Sequence, residues 1–212
     1  MTEAGELGAL LEPARTALLV VDAQNDFCHR DGFFAALGFD VAPCALAAAR
    51  LVPVVEEARR RGIQVVWTMS TNADPPGYRL PPARFRRHPS ERPADQFAPG
   101  SWGWQIVDGL RPREAEPVIQ KPRYDAFLRT TLEDDLHARG IDTVVVGGVI
   151  TNCCVDTTAR SAFMRGFGVL VLEDCVGTFA QERDLHDASL RNLSLLFAIV
   201  HDSSVLREAV HA

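Results

Sequence analysis

Three kinds of reactive side chain stand at the ends of apolar runs in this sequence. Asp22 follows LLVV, Lys121 follows VIQ, and the pair Cys153 and Cys154 comes shortly after TVVV. An acid, an ammonium and a thiol that meet at one place are the parts of a nucleophilic site. The lysine stands out by composition, because the other 21 of the 22 basic residues are arginine. An ammonium can pass on a proton, whereas a guanidinium effectively never deprotonates.

The position of the thiols favours a reactive cysteine. A cysteine in the first turn of a helix feels the positive end of the helix dipole, and a nearby lysine favours the thiolate further. Asp22 is then the general base, and Gly147 and Gly148 permit a tight turn whose N–H groups face a developing oxyanion. The ordinary alternatives are that the aspartate caps a turn and that the cysteine only packs.

The elements that must position these residues follow from the apolar pattern. Near-continuous Val, Ile and Leu runs predict strands at 17–21, 63–67, 118–119, 143–146, 169–172 and 198–200. Helices are predicted at 45–61, where Pro53 implies a kink or a late start, and at 131–139, 153–165 and 183–197. Strands that alternate with helices in this way predict a three-layer α/β/α sandwich around a mostly parallel six-stranded sheet. Ligands of such sheets bind at the carboxyl ends of the strands, where the three reactive residues stand.

Composition narrows the class of protein. A chain of 212 residues predicts a single domain over 1–212, and a net charge of −6 argues against nucleic-acid and membrane partners. No apolar run reaches the length of a membrane span, and the acidic start is unlike an export signal, so we expect a cytoplasmic protein. The five cysteines are odd in number and lack zinc spacing, which predicts that most are small buried hydrophobes.

A proline- and arginine-rich stretch at 74–100 interrupts the pattern. It holds seven of the 13 prolines and five arginines, without periodicity. A linker between domains is one interpretation. An ordered loop near the site is favoured, because loops of this length inside a compact domain are usually functional or disordered.

The motifs resemble those of the isochorismatase-like cysteine hydrolases. The matching pieces are VVDAQNDF, KPRYDAF and GGVITNCCVDTTARSAFMRGF, and the resemblance spans about Thr16 to Val200. It implies that Cys154, directly before Val155, is the nucleophile and that Cys153 packs. It also implies a cis peptide bond between Val149 and Ile150, with the N–H groups of Ile150 and Cys154 forming an oxyanion hole.

The resemblance also bears on metal and substrate. Nicotinamidases of this family bind a metal through histidines after the second strand, where this chain reads WTMSTNADPPGY, and His88 stands alone further on. We therefore expect no metal and no cofactor. The patches GFDV, GSWGWQIVDGL and KPRYDAF look most like those of the ureidoacrylate amidohydrolases and biuret hydrolases, which cleave small ureido or carbamoyl C–N bonds. Candidate substrate contacts lie at or near these patches, although each could equally pack or cap a turn: Asn72, Trp102, Gln105 and Tyr124.

The sequence thus predicts a metal-independent amidohydrolase that cleaves a small linear amide or ureide through a thioester. One alternative is an isochorismatase, whose dianionic substrate the arginines of 79–92 could bind. Another is a catalytically silent scaffold, which would be expected to lack Asp22, Lys121 or the cysteine. The resemblance further implies a homo-oligomer, a dimer or a tetramer.

Overall fold

The computed structural model describes Leu7, residues 11–73 and residues 96–208. Most of the predicted loop at 74–100, including His88 and the arginines of 79–92, lies outside the described residues.

Six parallel strands form one sheet in the order β3-β2-β1-β4-β5-β6. Their bounds are β1 Thr16–Val21, β2 Gln64–Ser70, β3 Val118–Lys121, β4 Thr143–Val149, β5 Gly168–Gly177 and β6 Ile199–His201. Every predicted strand is present, and the predicted mostly parallel six-stranded sheet is confirmed. Several strands continue past their apolar runs, most of all β2, β4 and β5.

Helices cover both faces of the sheet. They are α1 Asn25–Cys28, α2 Phe33–Ala36, α3 Ala42–Arg61, α4 Leu132–Ala138, α5 Asp156–Met164, α6 Arg183–Leu196 and α7 Val205–Glu208. One apolar core joins α3 and α7 to side chains such as Leu18 and Val145. The other joins α4, α5 and α6 to the alternate positions, such as Leu19 and Val146. Successive strand residues point to opposite faces, so the two cores confirm the three-layer sandwich.

The long helix α3 differs from its prediction. It begins at Ala42 and continues through Pro53, so the late start expected from the proline is wrong. Pro43 in the first turn suits a helix start, because the N–H that proline lacks would have no partner there. The helix ends at Arg61, as predicted, and Gly62 follows it in the left-handed conformation with φ of 76°.

The two glycines before the cysteines lie inside β4, so the tight turn predicted at Gly147 and Gly148 is wrong. Gly148 has φ of 126°, and a Cβ added there would lie 2.0 Å from the carbonyl oxygen of Val21. A Cβ at Gly147 would lie 2.7 Å from a methyl group of Leu51. The glycines therefore allow β4 to approach β1 and α3 closely.

Helix α6 buries little of its apolar surface. Leu193 is its one buried residue, whereas Leu185, Leu195 and Leu196 are 47%, 69% and 62% exposed. Within the described part of the chain, none of the helices combines the length and apolarity needed to cross a bilayer.

Candidate active site

Three residues, here called the triad, meet at the carboxyl edge of the sheet: Asp22, Lys121 and Cys154. Asp22 directly follows β1, Lys121 is the last residue of β3, and Cys154 lies on a five-residue π-helical segment after β4. Lys121 Nζ is 2.6 Å from Asp22 Oδ2 and 3.3 Å from Cys154 Sγ. The relative exposures of the three residues are 0%, 0% and 2%. The ammonium therefore contacts both the acid and the thiol, away from bulk water.

The carboxylate of Asp22 is held from strand β2. Its backbone has φ of 49°, in the left-handed region that aspartate tolerates better than most residues, and its N–H donates to the carbonyl of Thr68 at 3.1 Å. Thr68 Oγ1 donates to Oδ1 at 2.8 Å, and Ser70 Oγ donates to Oδ2 at 2.9 Å. Hydrogen bonds to both oxygens thus fix the orientation of the carboxylate.

The Lys121 ammonium has further partners, the hydroxyl of Ser70 at 3.2 Å and the carbonyl of Arg123 at 3.0 Å. Burial lowers the pKa of Lys121, but the attraction of Asp22 and Cys154 outweighs it, so the pKa is raised overall. Lys121 is therefore a charged ammonium that forms a buried ion pair with Asp22.

The surroundings of Cys154 raise the pKa of its thiol. A side-chain hydrogen bond with Cys153 and burial raise the pKa of Cys154 well above its usual value, and Lys121 opposes them only in part. The residue also lies on the π-helical segment Thr151–Val155, ahead of the α-helix that begins at Asp156. Lys121 favours the thiolate, but burial and the neighbouring thiol outweigh it.

The segment that carries Cys154 is held at both ends. The Val149–Ile150 peptide bond is cis, as the resemblance implies, and the carbonyl of Ile150 accepts the N–H groups of Cys153 and Val155 at 3.1 and 3.2 Å. On the side of α6, Asn152 donates to Glu182 Oε2 at 3.0 Å. The ring of His186 contacts Thr151 Oγ1 at 2.9 Å. Cys154 therefore has a fixed backbone.

The candidate substrate contacts lie at more accessible positions than the triad. Asn72 is partly buried just beyond β2, and its N–H donates to the carbonyl of Phe97 at 3.2 Å. Trp102 is 47% exposed and Tyr124 is 53% exposed, and Gln105 is also exposed. The carbonyls of Trp102 and Gln105 both accept hydrogen bonds from Asn25. Their contacts with a substrate remain predictions.

The sequence analysis did not identify four polar residues that surround the triad. They are buried, and they bind the triad or the loops beside it: Gln24, Asp26, Thr68 and Ser70. Asp26 accepts the N–H groups of Phe33 and Phe97 at 3.2 and 2.9 Å. The signal for Thr68 and Ser70 was present in WTMS, where polar side chains recur at every second position of a buried strand and so share one face.

Side chains that could bind a metal ion do not form a cluster in the described part of the chain. Among the described residues, no three His, Cys, Asp or Glu side chains are grouped closely enough to hold an ion. His88 falls outside that range.

A parallel three-layer sandwich with a buried acid, lysine and cysteine at the carboxyl edge of its sheet belongs to the class of α/β enzymes, whose ligands bind at that edge. The isochorismatase domain family matches residues 16–204, and the chain belongs to this family. The ureidoacrylate amidohydrolase RutB of Methylobacterium radiotolerans is 35% identical, covering 94% of this chain and 81% of that protein.

Two solved structures show the same fold. The N-carbamoylsarcosine amidase from Thermoplasma acidophilum is 27% identical with a TM-score of 0.67, covering 89% of this chain and 96% of that one. A cysteine hydrolase from Pseudomonas syringae pv. phaseolicola is 24% identical with a TM-score of 0.76, covering 94% of each chain.

Proposed function

We propose that this protein is a cysteine amidohydrolase that cleaves a C–N bond of a small linear amide or ureide without a metal. The observation that carries the proposal is the buried Lys121 ammonium in contact with both Asp22 Oδ2 and Cys154 Sγ. Two named relatives, the ureidoacrylate amidohydrolase and the N-carbamoylsarcosine amidase, support this class of reaction.

The first half of the reaction forms a thioester. Asp22 takes the proton of the Cys154 thiol as Sγ forms a bond to the substrate carbonyl carbon, and the electron pair of the C=O bond moves to its oxygen. The N–H groups of Ile150 and Cys154 hold that oxyanion; loss of one such donor costs about 10²–10³ in rate. When the carbonyl re-forms, the C–N bond breaks and the leaving nitrogen takes the proton from Asp22. Lys121 stabilises the negative charge on the acid and the sulfur.

The second half consumes one water. Asp22 takes a proton from the water. The water oxygen attacks the thioester carbonyl carbon, and the C–S bond breaks. The leaving sulfur recovers the proton from Asp22, which restores the free enzyme. The sum is one amide and one water converted to an acid and an amine; a ureide passes through a carbamoyl thioester in the same way. Asn72, Trp102, Gln105 and Tyr124 are proposed to contact the substrate.

The isochorismatase alternative has weaker support. Relatives that are 35% and 33% identical over more than nine-tenths of this chain are amidohydrolases by name. The triad is complete, which also disfavours a silent scaffold.

The test compares Cys154→Ala with wild type on a panel of ureides, carbamates and amides, with ammonia release as the readout. We expect the wild type to hydrolyse a ureide or amide and Cys154→Ala to lose turnover. Intact-protein mass spectrometry should show a substrate-derived adduct on wild type alone. Cys175→Ala is the matched control, since Cys175 is a fully buried thiol of the core, and it should keep turnover. Full turnover by Cys154→Ala, or pyruvate release from isochorismate, would contradict the proposal.

We further propose that the protein is a cytoplasmic homo-oligomer, a dimer or a tetramer. Support for assembly comes from exposed apolar side chains on neighbouring helices, such as Met164 at 75%, Leu195 at 69% and Leu196 at 62%. Support for a reducing compartment comes from the five unpaired cysteines. Light scattering should give a multiple of 23.3 kDa, and Leu196→Asp should lower it. A wild-type mass of a single chain would contradict assembly.

A further inference from the structure

Ser70, the last residue of β2, joins two members of the triad. Its hydroxyl donates to Asp22 Oδ2 at 2.9 Å and accepts from Lys121 Nζ at 3.2 Å. The residue is only 6% exposed, so bulk water has little access to replace that hydroxyl. One side chain thus contacts both the carboxylate and the ammonium.

The hydrogen bonds around Asp22 leave one direction open. A carboxylate offers about four lone-pair positions. Among the described residues, Ser70 and Lys121 take two positions on Oδ2, and Thr68 takes one on Oδ1. The proposed reaction needs a position on the Asp22 carboxylate that can receive a proton, so the rotation of the carboxylate must be fixed for the reaction.

Gln24 fixes the backbone of Ser70. The amide of Gln24 is fully buried; its Oε1 accepts the Ser70 N–H at 2.8 Å, and its Nε2 donates to the Ser70 carbonyl at 3.1 Å. The same Nε2 donates to the carbonyl of Trp104 at 2.8 Å. This paired contact holds both the backbone N–H and the backbone carbonyl of Ser70, so the position from which the hydroxyl extends is fixed.

We propose that Ser70, held by Gln24, is a positioning residue that keeps the Asp22 carboxylate and the Lys121 ammonium aligned with Cys154. The inference rests on the proposed amidohydrolase function. Ser70 acts through Asp22 and Lys121 and does not bind the substrate. The Ser70 hydroxyl is one of four neighbours within 3.3 Å of the ammonium, and we expect the ammonium to move toward the other three when that hydroxyl is removed. A misplacement of about 1 Å in a catalytic group can cost about 10² in rate.

The test measures kcat and KM of Ser70→Ala on a ureide or amide that the wild type hydrolyses. We expect kcat to fall roughly 10- to 100-fold with KM unchanged. Ser70→Thr keeps the hydroxyl and should recover most of the lost kcat. Ser203→Ala is the matched control, because it removes another buried serine hydroxyl, which donates to Asp174 Oδ2 at 2.8 Å, and it should leave kcat unchanged. A wild-type kcat in Ser70→Ala, or an equal fall in Ser203→Ala, overturns the proposal.

Ser70→Cys keeps the experiment decisive if Ser70→Ala does not fold. The thiol nearly preserves the volume but is a weak donor, so kcat should fall again, and a wild-type kcat overturns the proposal. Gln24→Ala combined with Ser70→Ala tests the role of Gln24. Because both residues act through one contact, the fold-loss of kcat in the double variant should be smaller than the product of the two single fold-losses. A fold-loss equal to that product would show that Gln24 does not act through Ser70.

A readout that needs no substrate separates this proposal from the proposed function. If the wild type hydrolyses no member of the panel, the proposed function fails. The rate at which iodoacetamide alkylates Cys154, followed by mass spectrometry, then tests the positioning alone. We expect this rate to fall several-fold in Ser70→Ala and to be unchanged in Ser203→Ala. Equal rates in wild type and Ser70→Ala overturn the role of Ser70.

Discussion

The chemistry of the site depends on a buried ion pair, Asp22 with Lys121. Neither side chain is exposed, so each charge is stable only beside the other. Removing one partner of such a pair typically costs about 3–5 kcal/mol, because the remaining charge is left buried and uncompensated. Substitutions of these two residues will therefore affect both activity and the free energy of unfolding.

Lys121→Arg is expected to lower kcat by about 10² or more and the free energy of unfolding by about 1–3 kcal/mol. The guanidinium is wider than the ammonium and cannot fill the same position between Asp22 Oδ2 and Cys154 Sγ. Turnover assays and urea unfolding measure the two effects. Arg183→Lys, a swap at a side chain that is 77% exposed, is the control and should change neither quantity. Normal turnover by Lys121→Arg would show that its assigned role is wrong.

The sequence predicted the triad but not the residues that support it. Asp22, Lys121 and the cysteine pair could be found because they are reactive types near the ends of predicted strands, and the family resemblance selected Cys154 over Cys153. Ser70 could not be assigned to the triad, since a hydroxyl at a strand end is ordinary until the register of β1, β2 and β3 is known. The raised pKa of Cys154 depends on burial and on its contact with Cys153, and neither can be derived from helix position.

At the scale of elements, the approach of β4 to β1 places Cys154 beside Asp22. Val21 and Gly148 are paired in the parallel ladder, and the next residue after Val21 is Asp22. The absence of a side chain at Gly148 lets the two backbones approach at the edge where the site forms. The geometry of the site is therefore tied to one glycine.

Gly148→Ala should lower the free energy of unfolding by at least about 3 kcal/mol, from backbone strain and a clash with the Val21 carbonyl. Its φ of 126° is unfavourable for alanine, and the added Cβ would lie 2.0 Å from a backbone oxygen that cannot rotate away. Urea unfolding measures the loss. Gly38→Ala is the control, because Gly38 has φ of 88° with no atom within 4 Å of the added Cβ, and it should cost only about 1 kcal/mol. Equal losses would exclude the close approach as the cause.

The extents of the elements were harder to predict than their existence. Apolar runs located all six strands, but Thr68 to Ser70 and Glu173 to Gly177 are strand because of their neighbours in the sheet and not because of their own residues. In the same way, α3 continues through Pro53 because its apolar face packs on the sheet. Tertiary contacts overrode local preference at each of these places.

At the scale of the whole molecule, the cysteines serve mainly as core residues. Cys28, Cys44, Cys154 and Cys175 are buried and unpaired, which confirms the prediction of small buried hydrophobes, while Cys153 is partly buried. Burial is the leading cause that raises the pKa of Cys28 and Cys44, and it raises that of Cys175 to about 12. These thiols resist ionisation only while the chain is folded.

The free energy of unfolding should therefore fall as the pH rises above about 9, the ordinary pKa of a cysteine. In that range the unfolded thiols lose their protons and the folded ones keep them, so the unfolded state binds fewer protons and rising pH favours it. Each buried thiol contributes about 1.4 kcal/mol per pH unit, and Cys28, Cys44 and Cys175 together contribute roughly 4 kcal/mol per pH unit. Urea unfolding between pH 9.5 and 10.5 measures the slope, which should be roughly 1 kcal/mol per pH unit shallower in Cys175→Ala. The same slope in Cys175→Ala and wild type would show that the buried thiol does not contribute to the alkaline loss of stability.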